Sequence, residues 1–290
     1  MLKDPRSAGP RPPFPKQQQS APGETGKQKP TPDHGEDSYR GAGRLQGCAA
    51  LVTGGDSGIG RAIAIAFARE GADVAIGYLS EHEDAQDTAE WVRKAGRKVV
   101  LLPGDVADEL HCKELVKRTV AELGRIDILV NNAAFQRTHE KLWDFTADEI
   151  EHTFRTNIQS MFHLAKAAVA KMQPGASIIN TASIQADKPS PSLLAYASTK
   201  GAITNFTAGL AQVVAKDGIR VNAVAPGPVW TPLIPSTMPA DQVANFGADS
   251  PLGRPAQPAE LAPAYVFLAS NDASYISGAV LPVTGGKPFL

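Results

Sequence analysis

The sequence predicts an α/β fold: a doubly wound, seven-stranded parallel sheet with helices on both faces. Short apolar runs alternate with longer helical patterns from residue 45 onward. The runs show no polar alternation, as expected for strands that are covered on both faces. A glycine-rich turn joins the first run to the first helical pattern. Strand and helix alternating in this way indicate parallel strands joined by right-handed crossovers.

Seven short apolar runs are predicted as the strands. Each is rich in Val, Ile, Leu or Ala, and each is bounded by polar residues or glycine, which is typical of strands buried in a parallel sheet. In chain order they are residues 49–53, 74–78, 99–102, 128–130, 177–180, 220–224 and 279–283.

Helical patterns separate these strands, and several end at residues that stop helices. Gly71, Gly96 and Gly124 are C-cap residues, and Pro174 ends a long fourth helix. The predicted helices are residues 59–70, 83–94, 110–123, 148–172, a helix through Tyr196 and Lys200 to about 216, and 260–269.

The first 44 residues differ in composition from the rest, being rich in Pro, Gly, Gln and charge. Such a segment buries too little apolar surface to fold by itself. The sequence leaves two alternatives open: a disordered tail, or an arm ordered on a neighbouring subunit with Phe14 and Tyr39 as anchors. We therefore expect an N-terminal extension at 1–44 and one folded domain at 45–290.

Bulk properties narrow the function classes. The net charge of -1 gives no global field that favours nucleic acid or an anionic membrane. No apolar run approaches the roughly 18 residues of a membrane span, and no signal-peptide h-region is present. Two cysteines without a C-x-x-C spacing fit a reducing cytoplasm. The histidines form no metal-ligand spacing, so we expect no metal site.

The glycine-rich turn at 53–60 predicts a phosphate site. Gly54, Gly58 and Gly60 permit a tight turn and close approach by a pyrophosphate, and the following helix offers unpaired N–H groups. An acid that would bind a ribose 2′-hydroxyl is expected at the end of the second strand, but Tyr78 stands there. The sequence therefore predicts a dinucleotide and leaves NAD or NADP open.

Tyr196 and Lys200 predict a site for proton transfer. They stand four residues apart on a predicted helix and so share one face, and Ser183 lies one loop upstream. A tyrosine has an ordinary pKa of about 10, and a fixed neighbouring cation favours the phenolate. The pair could therefore move a proton to or from an oxygen.

In their joint order these segments resemble the short-chain dehydrogenase/reductase family over about residues 45–286. Within that family the proline-rich leader and residues 230–235 are most like the bacterial general-stress oxidoreductase branch. Ala134 and Thr284 depart from residues common in the family. The matching positions are the turn at 53–60, Asp105, Asn131, Asn132, Ala133, Asn157, Ser183, Tyr196, Lys200, Pro226, Gly227 and Thr231.

The resemblance implies a Rossmann-type homotetramer that transfers a hydride between NAD or NADP and a small carbonyl or alcohol substrate. It implies that Tyr196 is the general acid or base, and that Ser183 holds the substrate oxygen. Lys200 would lower the pKa of Tyr196 and hold the nicotinamide ribose. Asn157 would hold a water that links Lys200 to solvent. These four are the expected catalytic residues.

The resemblance also implies which residues line the cofactor site. They are Gly54, Ser57, Gly58, Ile59, Gly60, Tyr78, Asp105, Val106, Asn132, Ala133, Tyr196, Lys200, Pro226, Gly227, Val229 and Thr231.

Two other functions use the same residues. One is a nucleotide-binding sensor or scaffold without turnover, and the other is an epimerase or dehydratase with the same Tyr and Lys pair. The proline-rich segment at 226–258 is predicted to be a lid. Its apolar side chains favour a small or moderately apolar aldehyde, ketone or alcohol.

Overall fold

The computed structural model describes residues 4–289, and its centre is a sheet of seven parallel strands. The order across the sheet is β3-β2-β1-β4-β5-β6-β7. This order confirms the predicted fold class and puts the topological switch point between β1 and β4. The strands are β1 (Ala49–Thr53), β2 (Asp73–Tyr78), β3 (Val99–Pro103), β4 (Ile128–Asn131), β5 (Ser177–Thr181), β6 (Arg220–Pro226) and β7 (Val280–Val283).

Helices cover both faces of the sheet, and most begin and end close to the predicted positions. Asp108 caps the third helix through the N–H of Leu110, and Gly124 ends it in the left-handed conformation at φ 84°. The helices are α1 (Gly58–Arg69), α2 (His82–Lys94), α3 (Glu109–Leu123), α4 (Ala147–Phe154), α5 (Ser160–Val169), α6 (Leu194–Val213), α7 (Leu233–Thr237), α8 (Ala240–Ala244) and α9 (Pro258–Ala269).

The core has two layers because successive strand residues point to opposite faces. Val52 packs into the layer formed with α1, α2 and α9, where Phe67 and Tyr265 are fully buried. Leu51 packs into the other layer, with α3, α5 and α6. Both faces of β1 are therefore covered, as its uninterrupted apolar sequence predicts.

The predicted helix at 148–172 is divided in the structure. A π-helical turn at Arg155–Gln159 separates α4 from α5, and α5 ends at Val169. The fully buried Asn157 lies in this turn. Its side-chain amide bonds to groups outside the helix, which favours a local departure from α-helical geometry.

Residues 4–44 form an arm along the surface of their own chain. Within these residues the structure has 3₁₀ turns and extended backbone, without an α-helix or strand. Phe14 stacks on Trp230 with ring centroids 4.2 Å apart, and the Tyr39 hydroxyl donates to Glu70 Oε1 at 2.5 Å. Phe14 and Tyr39 thus anchor the arm to its own chain. This arrangement differs from both alternatives, the disordered tail and the arm on a neighbouring subunit. An additional contact of the arm with a neighbouring subunit stays a prediction.

Among residues 4–289, no helix combines the length and the apolar character that crossing a bilayer requires.

Candidate active site

A cavity of about 750 Å³ lies at the carboxyl ends of the strands. Gly54 follows β1, Tyr78 ends β2 and Asn132 follows β4, and all three line the cavity. Thr181 and Pro226 line it from the ends of β5 and β6. In a parallel sheet these ends meet at one edge, which is where such folds bind their ligands.

The glycine-rich turn forms one wall of this cavity. Gly54 and Gly58 have φ angles of +62° and +50°, and Ser57 and Ile59 also line the cavity. A Cβ at Gly60 would lie 1.8 Å from the Gly54 carbonyl oxygen, so this position has room for glycine only. Gly60 itself lies behind the wall. The first N–H groups of α1 have no partner within the helix, and the turn therefore fits a diphosphate.

A hydrogen-bond network holds the adjoining loop after β4. Asn132 Nδ2 donates to the carbonyl oxygens of Thr53 and Gly54 at 3.1 and 3.2 Å. The N–H groups of Asn132 and Ala133 donate to Thr53 Oγ1 at 3.0 and 3.1 Å. Both residues line the cavity as expected, and the side-chain amide of Asn132 fixes the loop against β1.

Three of the expected catalytic residues meet at the other end of the cavity. Ser183 follows β5, while Tyr196 and Lys200 lie in the first turns of α6, and all three line the cavity. Lys200 is 1% exposed, and its Nζ donates to the Thr181 carbonyl oxygen at 2.7 Å. The same Nζ lies 5.2 Å from the centroid of the Tyr196 ring. The i, i+4 spacing therefore puts both side chains where the sequence predicts.

Burial shifts the pKa of both groups in this pair. Burial raises the pKa of Tyr196 to about 12, although a hydrogen bond with Ser183 opposes the shift. Burial lowers the pKa of Lys200 to about 7. Removal from water disfavours the charged form of each group. Near neutral pH Tyr196 is therefore protonated in the protein alone, and the lowering of its pKa by Lys200 stays a prediction.

Asn157 lies behind the cavity wall. Its Oδ1 accepts from the Phe135 N–H at 2.7 Å, and its Nδ2 donates to the Phe135 carbonyl oxygen at 2.8 Å and to Thr199 Oγ1 at 3.1 Å. Both amide hydrogens are thus used to hold the loop after β4 and helix α6 together. The role of Asn157 in holding a water beside Lys200 stays a prediction.

The remaining expected cofactor residues surround the same cavity. The structure brings to it the following residues from the carboxyl ends of β2, β3 and β6: Tyr78, Asp105, Val106, Pro226, Gly227, Val229 and Thr231.

Sequence reasoning missed Asp56, which lies inside the glycine-rich turn. It lines the cavity although it is only 6% exposed. Burial raises the pKa of Asp56 to about 7, and the nearby carboxylates of Glu81 and Asp84 raise it as well. Its position between Gly54 and Gly58 could have drawn attention to it, but the sequence did not show that its carboxyl group faces the cavity.

Several polar residues near Tyr196 were also missed. Gln136 donates to Thr237 Oγ1 at 2.9 Å, and Gln185 Oε1 accepts from the Ser190 N–H at 2.6 Å. His152 and Lys188 line the same end of the cavity. They come from loops and from α4, far apart in the sequence, and no local spacing marks them.

Over most of its length the chain is similar to known proteins. The sequence profile of the family described as enoyl-(acyl carrier protein) reductase matches residues 54–287. General stress protein 39 of Bacillus subtilis is 52% identical, over 94% of this chain and 96% of its own length. Glucose and ribitol dehydrogenase of Daucus carota is 47% identical, over 94% of this chain and 96% of its own. A short-chain dehydrogenase from Burkholderia cenocepacia, solved in complex with NADP, has a TM-score of 0.79 and 34% identity, covering 84% of this chain and 98% of its own.

Proposed function

Because the chain belongs to the short-chain dehydrogenase/reductase family of oxidoreductases, we propose that it transfers a hydride between NAD or NADP and a carbonyl or alcohol carbon. The observation that carries this proposal is the meeting of Ser183, Tyr196 and Lys200 in the same cavity as the glycine-rich turn. One end of the cavity fits a dinucleotide, and the other holds groups that move a proton.

The described residues fit a nicotinamide dinucleotide. The glycine-rich turn and the start of α1 would hold its diphosphate, and Lys200 would contact the nicotinamide ribose. The cofactor, when bound, supplies or accepts the hydride. Residues at the carboxyl ends of the parallel strands line both the dinucleotide end and the proton-transfer end of this one cavity.

Tyr196 acts as the general acid in reduction. Its pKa of about 12 keeps the phenol protonated at neutral pH, so the group is ready to donate to a substrate oxygen. Ser183 hydrogen-bonds the same oxygen and holds it near the phenol. Oxidation requires the phenolate, which a cationic Lys200 would stabilise; its Nζ lies 5.2 Å from the centroid of the Tyr196 ring. Near pH 7 the protonated phenol is the form that the reductive direction uses.

Substitution of Tyr196 by Phe tests this role. The variant lacks only the phenol hydroxyl group, so we expect turnover to fall by about 10²–10⁴-fold while the cofactor Kd is unchanged. The matched control is Tyr275→Phe, because Tyr275 is fully exposed. Turnover is measured as oxidation of NADH and NADPH with a panel of aldehydes, ketones and sugars. Full activity of Tyr196→Phe would contradict the assignment. Cofactor binding without turnover on any compound would favour a sensor.

The substrate end favours a hydroxylated carbonyl or alcohol over a purely apolar one. Gln136, His152, Gln185 and Lys188 line it together with apolar side chains, namely Phe135, Leu193, Leu233, Ile234, Met238 and Phe246. Trp230, expected in an apolar lid, is 0% exposed and packs against the arm. A relative named glucose and ribitol dehydrogenase fits a polar substrate. In the panel we expect hydroxylated aldehydes to be reduced with a lower KM than alkyl aldehydes of equal length.

We further propose a homotetramer in the cytoplasm. Phe162 on α5 is 56% exposed and Val213 on α6 is 73% exposed, and Phe162 stacks on Phe206 with centroids 4.3 Å apart. Exposed apolar side chains on adjacent helices are typical of interfaces between subunits. The mass in solution by light scattering tests the assembly, and a monomer would contradict it.

A further inference from the structure

We propose that the N-terminal arm (residues 4–44) forms part of the cofactor site, with Gln28 as the residue that positions Thr231 over the glycine-rich turn; this rests on the proposed function. Nothing about a proline-rich leader requires such a role, because a leader could equally lie away from the site. The contacts of Gln28, of Ala21 and Pro22, and of Thr25 carry the proposal.

Gln28 connects the arm to the phosphate end of the cavity. It is 0% exposed, and its Nε2 donates to the Thr231 carbonyl oxygen at 3.1 Å. Thr231 lines the cavity and lies against the turn: a Cβ at Gly58 would be 3.1 Å from Thr231 Cβ. The arm therefore fixes the backbone of a residue that faces the start of α1.

The other side-chain atom of Gln28 points to the same conclusion. Among residues 4–289, Gln28 Oε1 is buried without a hydrogen-bond partner. Burying a polar atom in this way costs stability. An apolar residue at 28 would avoid that cost but would lose the hydrogen bond to Thr231. The presence of glutamine is thus explained by its contact with the wall of the site.

Residues 21 and 22 of the arm line the cavity directly. Pro22 is held through its carbonyl oxygen, which accepts from Ser236 Oγ on the lid helix α7 at 3.2 Å. The next residue, Gly23, has φ +89°, and a Cβ there would lie 2.6 Å from the Pro232 carbonyl oxygen. The chain can approach the lid this closely only because residue 23 is glycine.

The arm is also fixed on the far side of the cavity. The Thr25 N–H donates to Asp84 Oδ2 on α2 at 2.8 Å, in a buried contact. Trp230 Nε1 donates to the Pro30 carbonyl oxygen at 2.8 Å. The arm thus bridges α2 and the segment after β6. Residues 21 and 22, which precede these anchors in the chain, form an outer wall of the site.

If the arm forms part of the cofactor site, loss of the Gln28 side chain should weaken cofactor binding. When Gln28 is truncated, Thr231 loses the contact that holds it against the turn. We expect the Kd of the dinucleotide to rise by about tenfold, as when one buried hydrogen bond is lost. The KM of the carbonyl substrate at saturating cofactor should not change, because Gln28 lies at the phosphate end.

The test compares Gln28→Ala with Gln18→Ala, an exposed glutamine of the same arm. The Kd of NADH and of NADPH is measured by fluorescence titration, and KM and kcat by steady-state kinetics. We expect a tenfold higher Kd for Gln28→Ala, an unchanged carbonyl KM, and wild-type values for Gln18→Ala. Equal Kd values for the folded Gln28→Ala variant and the wild type would overturn the proposal.

A second pair of variants decides the matter if Gln28→Ala does not fold. Ala21 is exposed apart from its cavity contact, so Ala21→Glu and Ala21→Gln should both fold. The carboxylate repels an anionic dinucleotide, and we expect Ala21→Glu to have the higher Kd, with the difference shrinking as salt is added. Equal Kd values for these two variants would contradict the proposal that the arm forms a wall of the cofactor site. A wild-type protein that binds no dinucleotide would instead contradict the proposed function.

Discussion

Lys200 shows how burial at one residue sets the chemistry of the site. Its ammonium group is enclosed by protein, and its recorded hydrogen bond is to the Thr181 carbonyl oxygen. A charged lysine gains less from one carbonyl than it loses in hydration, and its pKa therefore falls to about 7. The same burial keeps Tyr196 protonated. Burial therefore makes the charged form of each group costly to the stability of the fold.

The first residue-scale prediction concerns Lys200→Met. We expect activity to be lost and cofactor binding to weaken together, because the proposed mechanism gives Lys200 a part in both. The folded-state pKa of about 7 lies below the ordinary 10.5, so the cost of the buried ammonium is greatest below pH 7 and vanishes above about 10.5. Thermal unfolding should therefore show Lys200→Met gaining more stability at pH 6 than at pH 10. Loss of cofactor binding alone, with turnover intact at saturation, would contradict the catalytic role.

Asp56 gives a second residue-scale prediction. Burial raises its pKa from 3.8 to about 7, so folding favours the neutral carboxyl, and this contribution is lost as pH rises from about 4 to above 7. The gain in Tm of the Asp56→Asn variant over the wild type should be small at pH 4 and larger at pH 8. The exposed Asp217→Asn is the control. An equal effect of Asp56→Asn at both pH values would contradict the buried, cavity-facing carboxyl.

At the scale of elements, the site depends on where helices begin and where they depart from regular geometry. Helix α1 begins at Gly58, directly at the cavity, so its unpaired N–H groups face the ligand space. The π turn at 155–159 lets Asn157 brace the loop after β4 against α6. The glycine spacing was visible in the sequence, whereas the π turn was not, because it depends on contacts with Phe135 and Thr199.

Gly60→Ala tests the close approach of α1 to the turn. The new Cβ would meet the Gly54 carbonyl oxygen at 1.8 Å, so the backbone must move away from the position that fits a diphosphate. We expect cofactor binding to be lost and the Tm to fall. Gly209→Ala on α6 has open space around its Cβ and should stabilise the helix by about 0.5–1 kcal/mol. Wild-type cofactor affinity in Gly60→Ala would contradict the geometry of the turn.

At the scale of the whole molecule, the base of the arm is tied to the folded domain at Glu70. The side chain of Glu70, just after α1, is fully buried and accepts hydrogen bonds from the Tyr39 hydroxyl, the Ala42 N–H and Arg44. Burial alone would raise its pKa, but these hydrogen bonds lower it to about 2. The arm is therefore held at its base by Glu70 and farther along by Trp230, which contacts Phe14 and Pro30.

Glu70→Gln should loosen the base of the arm. The folded-state pKa lies below the ordinary 4.5, so the stabilisation is present above about pH 4.5 and is lost as pH falls toward 2. Urea unfolding should show a loss of about 1–3 kcal/mol at pH 6 and a smaller loss at pH 3. Exposed Glu90→Gln is the control. A loss that grows as pH falls would contradict the charged interaction.

The sequence by itself determined the parallel sheet, the glycine-rich turn and the shared face of Tyr196 and Lys200. These features depend on short-range properties: apolar runs, glycine freedom and a four-residue helical spacing. Only the tertiary structure decided how Gln28 meets Thr231, where Asn157 points and how strongly Asp56, Tyr196 and Lys200 are shifted in pKa. Such contacts join residues far apart in the chain, and desolvation depends on every element packed around a group.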